Sequence, residues 1–115
     1  MSILDEPSLD LEALSILKEA TEEMFAEIIE VFLEDSPNRL NLLRDASSNN
    51  DVTAMKEESH CLKGSSGNVG AVKLSKICEE IETLSKSGSI TNQEELIQHA
   101  QHEFEHIKVK LSKMI

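Results

Sequence analysis

Two stretches of this chain space their core-type residues 3, 4, 3, 4, 3, a period that a helix satisfies and a strand cannot. Val52, Met55, Ser59, Leu62, Ser66 and Val69 make one series, with two serines in apolar places, and Ile97, Ala100, Phe104, Ile107, Leu111 and Met114 make the other. Residues so spaced fall on one side of a 3.6-residue helix, as in the seam of a packed bundle. Punctuation is sparse, with two Pro and four Gly in 115 residues, which leaves little room for hairpins. The chain has no Trp or Tyr and three Phe, so the core must be built from Leu, Ile, Val, Met and Ala. Its length suits one domain with one core.

The pattern predicts six helices after a loose lead-in over residues 1–8. The first spans about Ser8 to Ala20, with Leu11, Leu14 and Leu17 on one side. Thr21 can cap a second that reaches about Asp35 on a stripe of Phe25, Ile28, Ile29 and Phe32. Ser36-Pro37 reads as a cap followed by proline at the first helical position, opening a third helix with Leu40, Leu43 and Ala46 inward. Ser47 to Asn50 is a turn, and Asp51 caps the fourth helix, which Gly70 closes. The fifth runs from about Ala71 to Lys86, Ser87-Gly88-Ser89 ends it, and the sixth starts near Asn92. The expected fold is all-α: an antiparallel four-helix bundle of helices three to six, with the first two covering one end. No repeat, low-complexity tract or linker divides residues 9–115.

Composition narrows the partners. Eleven Lys and Arg stand against 22 Asp and Glu, a formal charge of −11, which opposes nucleic acid and anionic lipid. No apolar run approaches the roughly 20 residues of a membrane span. Asp5, Glu6, Asp10 and Glu12 break up any signal peptide. Cys61 and Cys78 lack metal or redox spacing and are expected to be free thiols in the cytoplasm.

The fourth helix holds the most informative side chains. At about 100° per residue, His60 lies well away from the seam, among Thr53, Lys56, Glu57, Lys63, Gly64 and Gly67. Lys56 and Lys63, one turn on either side, make a local positive island in an acidic chain. Such ammonium groups stabilise a phosphoryl group on an imidazole nitrogen, which carries about two negative charges. Each glycine inside a helix costs roughly 1 kcal/mol relative to Ala. Gly64 and Gly67 beside His60 are therefore read as gaps that let another protein approach. The plainer reading, a solvated histidine and glycines that permit tight helix packing, competes with this one.

His102-Glu103-Phe104-Glu105-His106 matches the zinc-peptidase pattern H-E-x-x-H on a helix. With His99 it forms a stripe opposite the seam, toward solvent. Nine residues follow His106, too few for a downstream third ligand, and no strand is evident to hold a peptide. No resident metal is expected; adventitious Zn2+ or Ni2+ binding is one alternative, and a solvated face is the favoured reading. A non-catalytic helical interaction module is the remaining alternative.

His60-Cys61-Leu62-Lys63-Gly64-Ser65-Ser66, followed by Val69-Gly70-Ala71, resembles the motif of the histidine-containing phosphotransfer (HPt) domain. The likeness extends from Phe32-Leu33-Glu34-Asp35 to Cys78 and Glu82, and covers nearly the whole chain. It implies a phosphorelay carrier, without an ATP site or cofactor of its own, that accepts a phosphoryl group from a receiver aspartate and donates it to another. His60 would carry the group, Lys63 would assist it and Gly64 would leave room for the receiver, which brings Mg2+. Many family members place Gln on the neighbouring helix near the active imidazole. Here Glu82 stands there, with Lys86 one turn on; a carboxylate can fix the imidazole tautomer but repels phosphate. Receiver domains or a hybrid histidine kinase are the expected partners of a monomer, and Met1 and Ile115 suit a free-standing protein. Ile16, Met24 and Leu42 are candidates for an apolar docking patch, with ordinary core as the competing assignment.

Overall fold

Asp10 and Asp51 open helices in the way short carboxylates do, each accepting a backbone N–H three residues on. Asp10 Oδ1 takes the Ala13 N–H at 3.0 Å and Asp51 Oδ1 takes that of Ala54 at 3.1 Å. The computed structural model describes residues 7–88 and 93–115. Their elements are α1 (Leu11–Thr21), a 3-10 turn (Glu22–Met24), α2 (Phe25–Ser48), α3 (Val52–Asn68), α4 (Val72–Lys86) and α5 (Gln93–Ser112). No strand occurs among the described residues. Most of the lead-in, Ser89 of the expected closing turn and the expected start at Asn92 lie outside them.

The all-α architecture is as expected: α2, α3, α4 and α5 form an antiparallel bundle in which α3 and α5 each pack against both α2 and α4. The seam series are buried nearly throughout, from Met55 and Leu62 on α3 to Ile97, Phe104, Ile107 and Leu111 on α5. Phe32 and Phe104 meet across α2 and α5 with ring centroids 6.0 Å apart and planes tilted by 57°, a favourable aromatic geometry.

Turn chemistry fixes where α3 stops. The Ala71 N–H donates to the Ser66 carbonyl at 2.8 Å and the Gly70 N–H to that of Gly67 at 3.1 Å, a Schellman closure. Gly70 sits at φ 71°, where glycine is unstrained. A Cβ there would also meet the Asp10 carbonyl oxygen at 3.1 Å and Leu14 at 3.3 Å. The Asp10 N–H in turn donates to the Gly70 carbonyl at 2.8 Å. The start of α1 is thus tied to the α3–α4 turn, and α1 lies over the end of the bundle where α2 begins.

Two expectations at the N-terminal half are corrected. The predicted second and third helices are one, because α2 continues through Pro37 for 24 residues. Its buried stripe of Phe25, Ile29, Phe32, Ser36, Leu40, Leu43 and Ala46 runs unbroken across the proline. Packing of that stripe outweighs the roughly 3 kcal/mol that an internal proline costs. Ser36 is therefore no cap; it is buried and its hydroxyl donates back to the Phe32 carbonyl at 2.7 Å. Nor does Thr21 cap a helix, since its hydroxyl donates to the Leu17 carbonyl at 2.8 Å. The covering layer is accordingly α1 and the short 3-10 turn, and the predicted second helix belongs to the bundle.

Candidate functional site

The site forms where α3 and α4 run side by side. His60 projects from α3 with its side chain 66% exposed, while Glu82 of α4 is buried, its side chain 5% exposed. The two meet: His60 Nδ1 lies 2.8 Å from Glu82 Oε2. Lys63, one turn further along α3, donates from Nζ to Glu82 Oε1 at 2.6 Å. Lys86, one turn along α4, brings its ammonium to 3.7 Å from Glu82 Oε2. One buried carboxylate thus receives an imidazole and two ammonium groups.

These neighbours fix its charge. The hydrogen bond from Lys63 holds the Glu82 carboxyl below the usual glutamate range, with a further contribution from the His60 ring and against the opposing effect of burial. The same hydrogen bond raises the Lys63 ammonium above its ordinary value. An ionised carboxylate only accepts, so the shared hydrogen resides on Nδ1. In the neutral ring Nε2 is then the nitrogen with the free lone pair.

Two glycines border this ring differently. At Gly64 a Cβ would find nothing within 4 Å, whereas at Gly67 it would meet Ser75 Oγ of α4 at 3.7 Å. Gly64 thus borders open space, and Gly67 fronts α4. Lys56 is exposed, and its ammonium makes no hydrogen bond or ion pair among the described residues, although its carbonyl accepts from the Ser59 hydroxyl at 3.1 Å. Of the two expected lysines, Lys63 is drawn to Glu82, where Lys86 of α4 joins it, while Lys56 stays at the surface. The reason is that α4 supplies the anion, which the spacing along α3 alone does not reveal.

Ile16, Met24 and Leu42 are 59%, 58% and 50% exposed, so none is core. Sequence reasoning passed over Val31, also exposed. Val31, Asp35 and Arg39 follow one another at four-residue steps on α2. Arg39 bridges Asp35 at 2.7 Å and Glu58 of α3 at 3.0 Å, so this row of α2 flanks α3. The available signal was an apolar residue on the same helical row as the charged Asp35 and Arg39.

The α5 stripe lacks such convergence. His99, His102 and His106 are exposed and Glu103 turns inward, 8% exposed. No three His, Cys, Asp or Glu side chains among the described residues are grouped to hold a metal ion. Burial pushes the Cys78 thiol up to about 12, which makes it inert, while Cys61 is exposed and unpaired. No helix among the described residues is long and apolar enough to cross a membrane.

Fold and site together define a class. The sequence model of the Hpt domain matches residues 27–110, and this chain belongs to that family. Among individual proteins, the phosphorelay protein LuxU of Vibrio vulnificus is 35% identical over 72 residues, 59% of this chain and 63% of that protein. The match thus spans less than two thirds of that relative. Histidine-containing phosphotransfer protein B of Pseudomonas aeruginosa PAO1 is similar across 96% of both chains, with a TM-score of 0.92 and 30% identity. The HPT domain of a sensor hybrid histidine kinase from Shewanella shares the fold, with a TM-score of 0.76 over 93% of this chain and 92% of that one at 19% identity.

Proposed function

We propose that this chain is a phosphorelay carrier that takes a phosphoryl group on His60 Nε2 from a receiver aspartate and returns it to another. The supporting observation is the exposed imidazole whose Nδ1–H is held by the ionised Glu82 at 2.8 Å. The Nε2 lone pair attacks phosphorus in line; the bond from phosphorus to the aspartyl oxygen breaks, and the carboxylate leaves with the electron pair. The proton stays on Nδ1, and Glu82 stabilises the positive charge that the ring acquires. Lys63 and Lys86 offset the negative charge that Glu82 would otherwise present to the phosphoryl oxygens. Donation to the next receiver is the same path reversed.

The chain needs no nucleotide or metal of its own on this reading, because the receiver supplies the activated phosphate together with Mg2+. Gly64 leaves the partner room to reach Nε2. Ile16, Met24 and Leu42, with Val31 added, offer exposed apolar surface for a reversible contact. The carrier acts as a monomer in the cytoplasm, where Cys61 and Cys78 stay reduced.

The test is incubation with a phosphorylated receiver domain. Label is expected on His60 as acid-labile, base-stable phosphate, and none on His60→Gln, whose helical circular dichroism should be unchanged. Normal acceptance by that variant would remove the proposal.

A further inference from the structure

Glu82 must meet two partners on another helix at once, Lys63 at 2.6 Å and His60 at 2.8 Å. A slide of α4 along α3 by about 1 Å would break one of those contacts, since hydrogen bonds weaken steeply outside their usual range. The register of the two helices therefore matters to the site, and a tie to the backbone adds to core packing a constraint that the more exposed His60 and Lys63 side chains cannot supply. Seven residues before Glu82, two turns back on the same face of α4, Ser75 Oγ donates to the backbone carbonyl of Lys63 at 3.0 Å. This bond joins α4 to the main chain of α3, whose position does not depend on a rotamer. It also ends on the residue whose side chain grips Glu82.

The local sequence makes the approach possible. A carbonyl oxygen has two lone pairs, so the Lys63 carbonyl can serve the helix and Ser75 together. Gly67, one turn beyond Lys63, faces α4 at the same point, where a Cβ would lie in ordinary contact with the Ser75 hydroxyl at 3.7 Å. Ser75 is itself partly buried, which shelters the bond from competing water.

We propose that Ser75 is a positioning residue for the phosphoryl-accepting histidine: by pinning α4 to the α3 backbone it sets the reach of Glu82 to His60 Nδ1, and so the tautomer that leaves Nε2 free. The proposal rests on the carrier reading for its effect on transfer, but its effect on the imidazole can be measured without any phosphoryl donor.

Ser75→Ala and Ser75→Thr provide the test. Ala is the better helix former, so loss of folding is not expected, and Thr keeps the hydroxyl. Nitrogen-15 NMR of His60 should show the single Nδ1–H tautomer in the natural chain and in Ser75→Thr, and a mixture of tautomers in Ser75→Ala. With a phosphorylated receiver, Ser75→Ala should lower kcat by about 5-fold with KM unchanged, the loss expected for one hydrogen bond, and Ser75→Thr should restore it. A merely structural role would shift the melting temperature alone. Ser75→Ala with the natural tautomer would overturn the proposal, as would an unchanged kcat in a chain that accepts phosphate. Should the natural chain accept no phosphate, the carrier reading fails, and the tautomer spectra alone decide the role of Ser75.

Discussion

α3 and α5 are built on the same 3, 4 spacing, and both turn histidines toward water, yet the two faces differ in what meets the imidazole. On α3, His60 is joined by a carboxylate from α4, which two lysines accompany. On α5, the imidazoles of His99, His102 and His106 make no hydrogen bond or ion pair among the described residues, although they carry a recognisable metal-site spacing. A local motif places donors on one helix face; a second helix has to supply the group that fixes a tautomer or closes a site. The difference between the two helices lies in their neighbours rather than in their histidines.

The largest expected effect breaks the comparison outright. His60→Gln should reduce phosphoryl acceptance to background in a label-transfer assay, whereas changing His99, His102 and His106 together to Ala should leave the rate within about 2-fold, as suits exposed side chains remote in their contacts from the α3–α4 cluster. A loss of acceptance in the triple variant would give α5 a part in the reaction.

Next comes the carboxylate. Glu82→Ala should slow transfer on the order of 10-fold or more, because the ring loses the group that orients it. Glu82→Gln should lose less, since an amide oxygen still accepts from Nδ1–H. Stability should report the same pairing through pH. The Glu82 carboxyl titrates lower in the folded chain than unfolded, so its contribution is complete above the ordinary value of about 4.3 and is lost as pH falls through the depressed one. Lys63 is raised; its contribution is complete below about 10.4 and is lost as pH rises through the raised value. Thermal melts from pH 3 to 6 should therefore fall more steeply toward acid in the natural chain than in Glu82→Gln. Parallel curves would show that the pairing does not stabilise the fold.

How much of this was legible follows from what each residue contacts. The seams of α3 and α5 could be read because burial repeats with the helical period, and the Gly70 closure because a left-handed residue favours glycine. Glu82 was found by counting along its helix. Pro37 was misread because Ser-Pro has the same local form whether it opens a helix or interrupts one. What decides is the stripe from Phe32 through Ser36 to Leu40, in which a serine takes a core place. Ser75 left no trace, since its partner is a backbone carbonyl, which every residue has.

Gly64 sharpens the comparison by separating stability from access. An added Cβ meets nothing within 4 Å, so Gly64→Ala should gain about 1 kcal/mol of helix propensity. That corresponds to a rise of roughly 4 °C in melting temperature. If the gap serves a partner, the same variant should raise KM for the phospho-receiver several-fold while the His60 tautomer stays as it was. A melting temperature that rises with unchanged KM would remove the gap from the mechanism.

The smallest effect concerns the other buried glutamate. Glu103 on α5 is 8% exposed and its Oε2 has no hydrogen-bond partner among the described residues, where Glu82 has three cationic or N–H neighbours. A buried acceptor without a partner costs about 1–3 kcal/mol, and replacing such a group by an apolar one of similar volume is often neutral or stabilising. Glu103→Leu should therefore keep transfer at its natural rate and raise stability by about 1 kcal/mol in urea unfolding. Glu82→Leu should do the reverse, leaving Lys63 and His60 without their shared acceptor. If Glu103→Leu destabilised the chain, α5 would prove to hold a polar contact of its own, and the contrast between a partnered and an unpartnered carboxylate would no longer distinguish the two faces.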